Sequence, residues 1–271
     1  MRFRRRKVRA LGPLARRAEA YPEYTLPRRR RGIYLLPNLF TTAALFAGFW
    51  AIVQAMNFKF DWAAKAVFVA MVLDSLDGRV ARLTRTQSAF GAEYDSLSDM
   101  VCFGAAPALV IYEWTLRPWG NYGWLAAFLY CACAALRLAR FNTNLEVADK
   151  RFFQGLPSPA AAALVTGFVW TMEEYAFNPD SLAVRGWAMA VTVFAGVCMV
   201  SNFNYYSFKT INLRRRVSFV VVLLVVLSFV LVSFQPPAVL FSGFVGYALS
   251  GGVGWAWLAW KRRRGQRDAG A

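Results

Sequence analysis

Apolar residues gather along this chain in blocks parted by short polar or basic stretches, at residues 33–56, 62–82, 91–114, 122–141, 157–176, 184–203, 217–234 and 237–260. Each block is near the roughly 20 residues that a helix needs to cross hydrocarbon, where the backbone must satisfy its own polar groups. The pattern predicts an all-α fold: a polytopic membrane helix bundle of about eight transmembrane helices. The last two blocks are separated only by "FQPP", whose prolines suit a tight hairpin turn.

Composition strengthens this reading. The chain of 271 residues is 58% hydrophobic and 17% charged, a balance that fits one membrane domain better than a soluble one. Thirty-two basic residues against 15 acidic ones give a net charge of +17. In a soluble protein that excess would point to nucleic acid, but here it gathers at the termini and in alternate loops. The runs "RRRR", "RLTR", "RLARFNTNLEVADKR", "KTINLRRR" and "KRRR" fall on one side of the predicted bundle. By the positive-inside rule both termini are cytosolic, which agrees with an even number of spans and, for a bacterial chain, with the inner membrane. Residues 1–32 hold no apolar run long enough for a signal-peptide core and are expected to form a basic cytosolic arm. Residues 33–260 form the transmembrane domain in this reading and 261–271 a basic tail, with no nucleic-acid partner.

Histidine is absent, which excludes a Ser/His/Asp triad, a Cys/His pair and a histidine-built zinc site. Cys102, Cys131, Cys133 and Cys198 all lie in apolar segments without companions for a metal site and read as packing residues. Chemistry therefore falls to carboxylates, arginines and hydroxyls.

Four aspartates interrupt the second and third blocks. Asp74, Asp77, Gly78 and Ala81 return to nearly one azimuth of a helix, and Gly91, Asp95 and Asp99 form a stripe at four-residue spacing. Counted from Thr86 in the intervening loop, Asp77 and Asp95 are each nine residues away, and Asp74 and Asp99 twelve and thirteen. An antiparallel helix pair would bring them together at matching depth. Uncompensated, four aspartates at mid-membrane would cost roughly 10 kcal/mol, so protons or cations must occupy the cluster. Oxygen-only donors favour magnesium, manganese or calcium. Internal salt bridges to Arg79, Arg82 and Arg85 are the plain alternative, but they leave unexplained the two glycines on the acidic faces, where room for a ligand results.

The pattern D-x2-D-G-x2-A-R-x8-G-x3-D-x3-D, met at Asp74, Asp77, Gly78, Ala81, Arg82, Gly91, Asp95 and Asp99, resembles the signature of the CDP-alcohol phosphatidyltransferases. The resemblance implies two divalent cations, Mg2+ or Mn2+, on Asp74, Asp77, Asp95 and Asp99, bridged by the diphosphate of a CDP-linked lipid. It implies a six-helix core followed here by two C-terminal helices, a homodimer, and Asp99 as the base that takes the proton of the attacking hydroxyl. Gly78, Ala81 and Gly91 would let the nucleotide approach the backbone, and Arg82 would hold a phosphate oxygen.

For the acceptor, "LLPNLFTTAALFAGFWAI", "DSLSDMVCFGAAPALVIY", "LRLARFN" and "FQGLPSPAAAALV" are similar to the phosphatidylserine synthase branch of that family. This branch implies CDP-diacylglycerol and L-serine as substrates. Arg137 and Arg140, one turn apart, are the candidate clamp for the serine carboxylate, with Asn142 and Ser158 nearby. The same arginines also read as anchors reaching to headgroups. Asn38 and Thr41 are candidates for the cytidine edge, although Pro37 and Asn38 equally suit a helix start. Rival readings are transfer to another alcohol, such as glycerol 3-phosphate or an inositol phosphate, and a divalent-cation transporter using the aspartates in transit.

Overall fold

A computed structural model describes residues 35–84, 88–143, 152–206 and 219–268. The N-terminal arm, the loop 85–87, residues 144–151 and the basic stretch 207–218 lie outside the described residues, and with them Arg85 and the arginine run at 214–216. The described residues all fall in one compact unit that runs from Ile33 onward.

Every apolar block coincides with helix. α1 (Leu35–Met56) and α2 (Phe60–Thr84) pack along each other, joined by a turn in which Phe58 takes φ +58°. α2 opens with Asp61 in its first turn, where a carboxylate complements the helix dipole. Ser88 then caps α3 (Ala89–Asp99) by accepting from the Gly91 amide at 3.0 Å. The third block is not a uniform helix. A π-helical turn (Met100–Ala105) follows α3, then α4 (Ala106–Ile111), a second π turn (Tyr112–Leu116) and a 3-10 turn (Arg117–Trp119) that ends at Gly120 with φ +54°.

α5 (Asn121–Thr143) packs on α7 (Leu182–Val200), and α6 (Ser158–Glu174) packs on α2, α7 and α9 (Pro236–Asp268). α6 is the central helix. Its residues from Ala160 to Val169 are all buried, and it opens with Pro157 and Pro159 at its first turn, where a missing amide costs nothing. α8 (Phe219–Phe234) meets α9 across Gln235 and exposes Phe229 and Phe234 on an apolar outer face. α9 continues without a break through Lys261–Arg264, into the stretch read from sequence as a tail.

Leu36–Met56, Asn121–Thr143 and Leu182–Val200 are, among the described residues, long and apolar enough to cross a membrane by length and composition. Such helices, with large apolar side chains on the outer surface, make this an integral membrane protein.

The fold is all-α as expected, with one short addition among the described residues. A two-stranded antiparallel ladder, β1 (Phe152–Gln154) against β2 (Asn204–Tyr206), pairs Phe153 with Tyr205. It ties the approach to α6 to the segment after α7. Gly155, at φ +79°, makes the turn possible: a Cβ there would lie 2.2 Å from the Met199 carbonyl oxygen. The Gly155 and Leu156 amides donate to the Phe203 and Cys198 carbonyls, so the first turn of α6 is anchored to the end of α7.

Candidate active site

The aspartates of α2 and α3 converge, with α1 packed against both helices. One carboxylate oxygen each from Asp74, Asp95 and Asp99 lie within 4.8 Å of one another. Asp77 adjoins Asp95, and Asp74 adjoins Asp99, so the pairs in contact are the depth-matched ones. Carboxyl groups in contact need a shared proton or a cation between them. Asp95 Oδ1 is buried with no hydrogen-bond donor among the described residues. Hard oxygen donors, this convergence and that orphaned oxygen fit a divalent cation. The ion pairs Lys65–Asp61, Arg117–Glu113 and Arg185–Asp180 sit at the opposite end of the bundle.

α1 supplies the wall behind Asp77. Thr41 is buried and its hydroxyl donates to Asp77 Oδ2 at 2.7 Å, with the Pro37 carbonyl 3.2 Å away as a second acceptor. The Thr41 carbonyl in turn accepts from the buried Ser98 hydroxyl at 3.3 Å, and Thr42 shares a 2.9 Å hydrogen bond with the Tyr94 hydroxyl. α1 thus fixes both acidic helices. The Thr41 hydroxyl proton, read from sequence as available to the cytidine edge, is directed at Asp77 in this structure. Asn38 lies beside the start of α3, where a Cβ on Gly91 would come 3.4 Å from its Oδ1.

The glycines of the motif differ. A Cβ at Gly78 would meet nothing within 4 Å, so open space adjoins the cluster, whereas one at Gly91 would stand 3.1 Å from the capping Ser88 hydroxyl. Ala81 is half-buried and Arg82 exposed, its Nε donating to the Gly78 carbonyl at 2.8 Å.

The two arginines of α5 also part company. Arg137 Nη1 donates at 2.6 Å to Ser158, a wholly buried hydroxyl at the start of α6, while its Nε is buried without an acceptor among the described residues. Its guanidinium lies within electrostatic range of Asp99. Arg140 instead donates from Nη2 to Gln154 at 2.6 Å and to Asn202 at 2.8 Å, and from Nη1 to the Val200 carbonyl at 3.4 Å. Arg140 is thus held by the side-chain oxygens of Gln154 in β1 and Asn202 after α7 and by the carbonyl at the end of α7, whereas Arg137 is turned toward Ser158 and Asp99. Asn142 donates to Ser96, next to Asp95, at 3.1 Å.

Tyr130, which the sequence pattern hides among apolar residues of α5, is fully buried and donates at 2.9 Å to the Phe103 carbonyl inside the π turn after Asp99. A lone tyrosine in an apolar helix is a weak signal, although its hydroxyl must find a partner when buried.

A profile of the family described as CDP-alcohol phosphatidyltransferase matches residues 34–198, which span α1 to α7. The CDP-diacylglycerol–serine O-phosphatidyltransferase of Helicobacter pylori (strain ATCC 700392 / 26695) is 38% identical over 230 residues, 83% of this chain and 93% of that protein. The protein of the same name from Mycobacterium bovis is 42% identical over 150 residues, 53% of this chain and 52% of its own. That from Methanocaldococcus jannaschii is 38% identical over 139 residues, 51% of this chain and 61% of its own.

Proposed function

This chain belongs to the CDP-alcohol phosphatidyltransferase family, and from that premise we propose that it transfers the phosphatidyl group of CDP-diacylglycerol to the hydroxyl of L-serine, releasing phosphatidylserine and CMP. The observation that carries the donor chemistry is the convergence of Asp74, Asp95 and Asp99 beside the open space at Gly78. The acceptor rests on the serine-transferring relatives, of which the Helicobacter pylori protein aligns over most of both chains.

The residues divide the work. Two divalent cations, Mg2+ or Mn2+, held by Asp74, Asp77, Asp95 and Asp99 would neutralise the diphosphate and the charge that grows on departing CMP. Gly78, Ala81 and Gly91 leave room for the nucleotide to approach the helix backbones, with Asn38 beside the start of α3 and the Nη groups of Arg82 toward a phosphate oxygen. Thr41 serves the donor site through Asp77.

Arg137 carries the acceptor's carboxylate, using the Nε that the protein leaves unmatched, and Ser158 steadies the guanidinium from α6. Asp99 removes the serine hydroxyl proton as the serine oxygen bonds to the lipid-side phosphorus and the bond to CMP breaks. Arg140 and Asn142 support this pocket from outside by tying α5 to the ends of α6 and α7 and to Ser96.

All eight helical stretches cross the bilayer in this reading, as a six-helix core with α8 and α9 appended. Both termini and the site face the cytosol across the inner membrane, and the protein works as a homodimer. Purified protein given labelled CDP-diacylglycerol and divalent cation should release CMP on addition of serine, and neither glycerol 3-phosphate nor an inositol phosphate should replace it. Release driven equally by another alcohol, or absent with serine, overturns the assignment.

A further inference from the structure

Behind the site lies a turn that neither the motif nor the mechanism uses. The π turn Met100–Ala105 begins immediately after Asp99. A π turn holds one residue more than an α turn would, so it sets the rotation of the acidic stretch before it relative to the buried stretch after it. Asp95 and Asp99 therefore face α2 while Ala106, Ala108, Val110 and Ile111 stay in the core. The wider turn is weaker than regular helix and is found where something else secures it.

Here α1 and α5 secure it from two sides. On the α1 side, Cys102 donates to the Ala44 carbonyl at 3.2 Å, and a Cβ on Gly48 would lie 2.9 Å from Cys102 Cα. On the α5 side, Tyr130 donates to the Phe103 carbonyl, and Gly104 lets the turn approach Ala134, to whose Cβ an added methyl would come within 3.3 Å. Tyr130 has no slack of its own. α7 presses on it through Gly196, where a Cβ would stand 3.2 Å from Tyr130 Cα.

We propose that Tyr130 is a positioning residue for the cation site: its hydroxyl, held by α5 and α7 and bonded to the Phe103 carbonyl, fixes the π turn in the rotation that keeps Asp95 and Asp99 against Asp74 and Asp77. Removing the hydroxyl leaves a buried carbonyl short of a donor at the one turn that controls where two of the four acids point.

The inference borrows from the phosphatidyltransferase reading only its activity readout, so the deciding measurement is Mn2+ binding to the purified full chain without either substrate, by electron paramagnetic resonance. Tyr130→Phe should bind Mn2+ about tenfold more weakly, the scale at which loss of an outer partner loosens a metal site. Tyr205→Phe is the control, since Tyr205 is equally buried and donates to the Ala248 carbonyl at 3.0 Å away from the acidic helices; it should bind within about twofold of wild type. Gly104→Ala, whose added methyl would come 3.1 Å from the Met100 side chain and 3.3 Å from the Ala134 Cβ, crowds the turn against α5 while keeping the Tyr130 hydroxyl; it should weaken Mn2+ in the same direction and decides the matter if Tyr130→Phe does not fold.

With substrates, Tyr130→Phe should raise the Mn2+ concentration for half-maximal CMP release and leave the serine KM unchanged. Wild-type Mn2+ affinity in Tyr130→Phe, or an equal loss in Tyr205→Phe, overturns the proposal. A wild-type protein that binds Mn2+ but releases no CMP overturns the functional reading and leaves this one to the binding data.

Discussion

The Thr41 hydroxyl donates to Asp77 Oδ2 at 2.7 Å across the α1–α2 contact, and both residues are buried, with Asp77 only 4% exposed. The most enclosed acid of the motif is thereby held by a helix that contributes no carboxylate. Thr41→Val keeps the shape and removes the donor. It should destabilise the protein by about 1–3 kcal/mol, the cost of leaving a buried acceptor unmatched, read as a lowered melting temperature in detergent. It should also raise the divalent-cation concentration needed for turnover.

Gly78 separates ligand space from packing. Nothing lies within 4 Å of a Cβ there, so Gly78→Leu should not lower thermal stability and should gain up to about 1 kcal/mol from helix propensity. The side chain would occupy the space beside the aspartates, with an expected loss of about a hundredfold in kcat/KM for CDP-diacylglycerol. A stable variant with unimpaired donor kinetics would show that the nucleotide lies elsewhere.

Arg137 and Arg140 should fail differently. Arg137→Gln removes the unmatched Nε and should weaken serine by about 1.5–3 kcal/mol, roughly ten- to a hundredfold in its KM. Arg140→Gln breaks the bonds to Gln154 and Asn202, so it should lower the melting temperature and leave the serine KM within about twofold. Equal KM effects for both would show a two-arginine clamp.

Asp99→Asn keeps an oxygen ligand but cannot accept the hydroxyl proton. Serine-dependent CMP release should fall by about 10²–10⁴, the range for loss of a general base. Binding of CDP-diacylglycerol in the presence of Mn2+ should persist in equilibrium measurements. Chelation with EDTA should abolish turnover in the wild type, and either Mg2+ or Mn2+ should restore it.

The run of apolar blocks foretold where every described helix lies, because a backbone in hydrocarbon has few alternatives to helix and the blocks have helix-crossing length. The meeting of Asp77 with Asp95 and of Asp74 with Asp99 was also legible, since equal distances from one short loop place residues at equal depth on antiparallel helices. Those are local properties: a period, a count and a turn.

What lay beyond the sequence depends on helices far apart in the chain. Whether Arg137 or Arg140 faces the cluster was decided by Gln154, Asn202 and Ser158, which arrive on other segments. That Thr41 serves Asp77, that Tyr130 braces Phe103, and that β1 finds β2 are likewise long-range matches. A one-dimensional pattern fixes which face of a helix is apolar, but buried polar groups choose partners only once packing has set the distances, and that choice belongs to the tertiary structure.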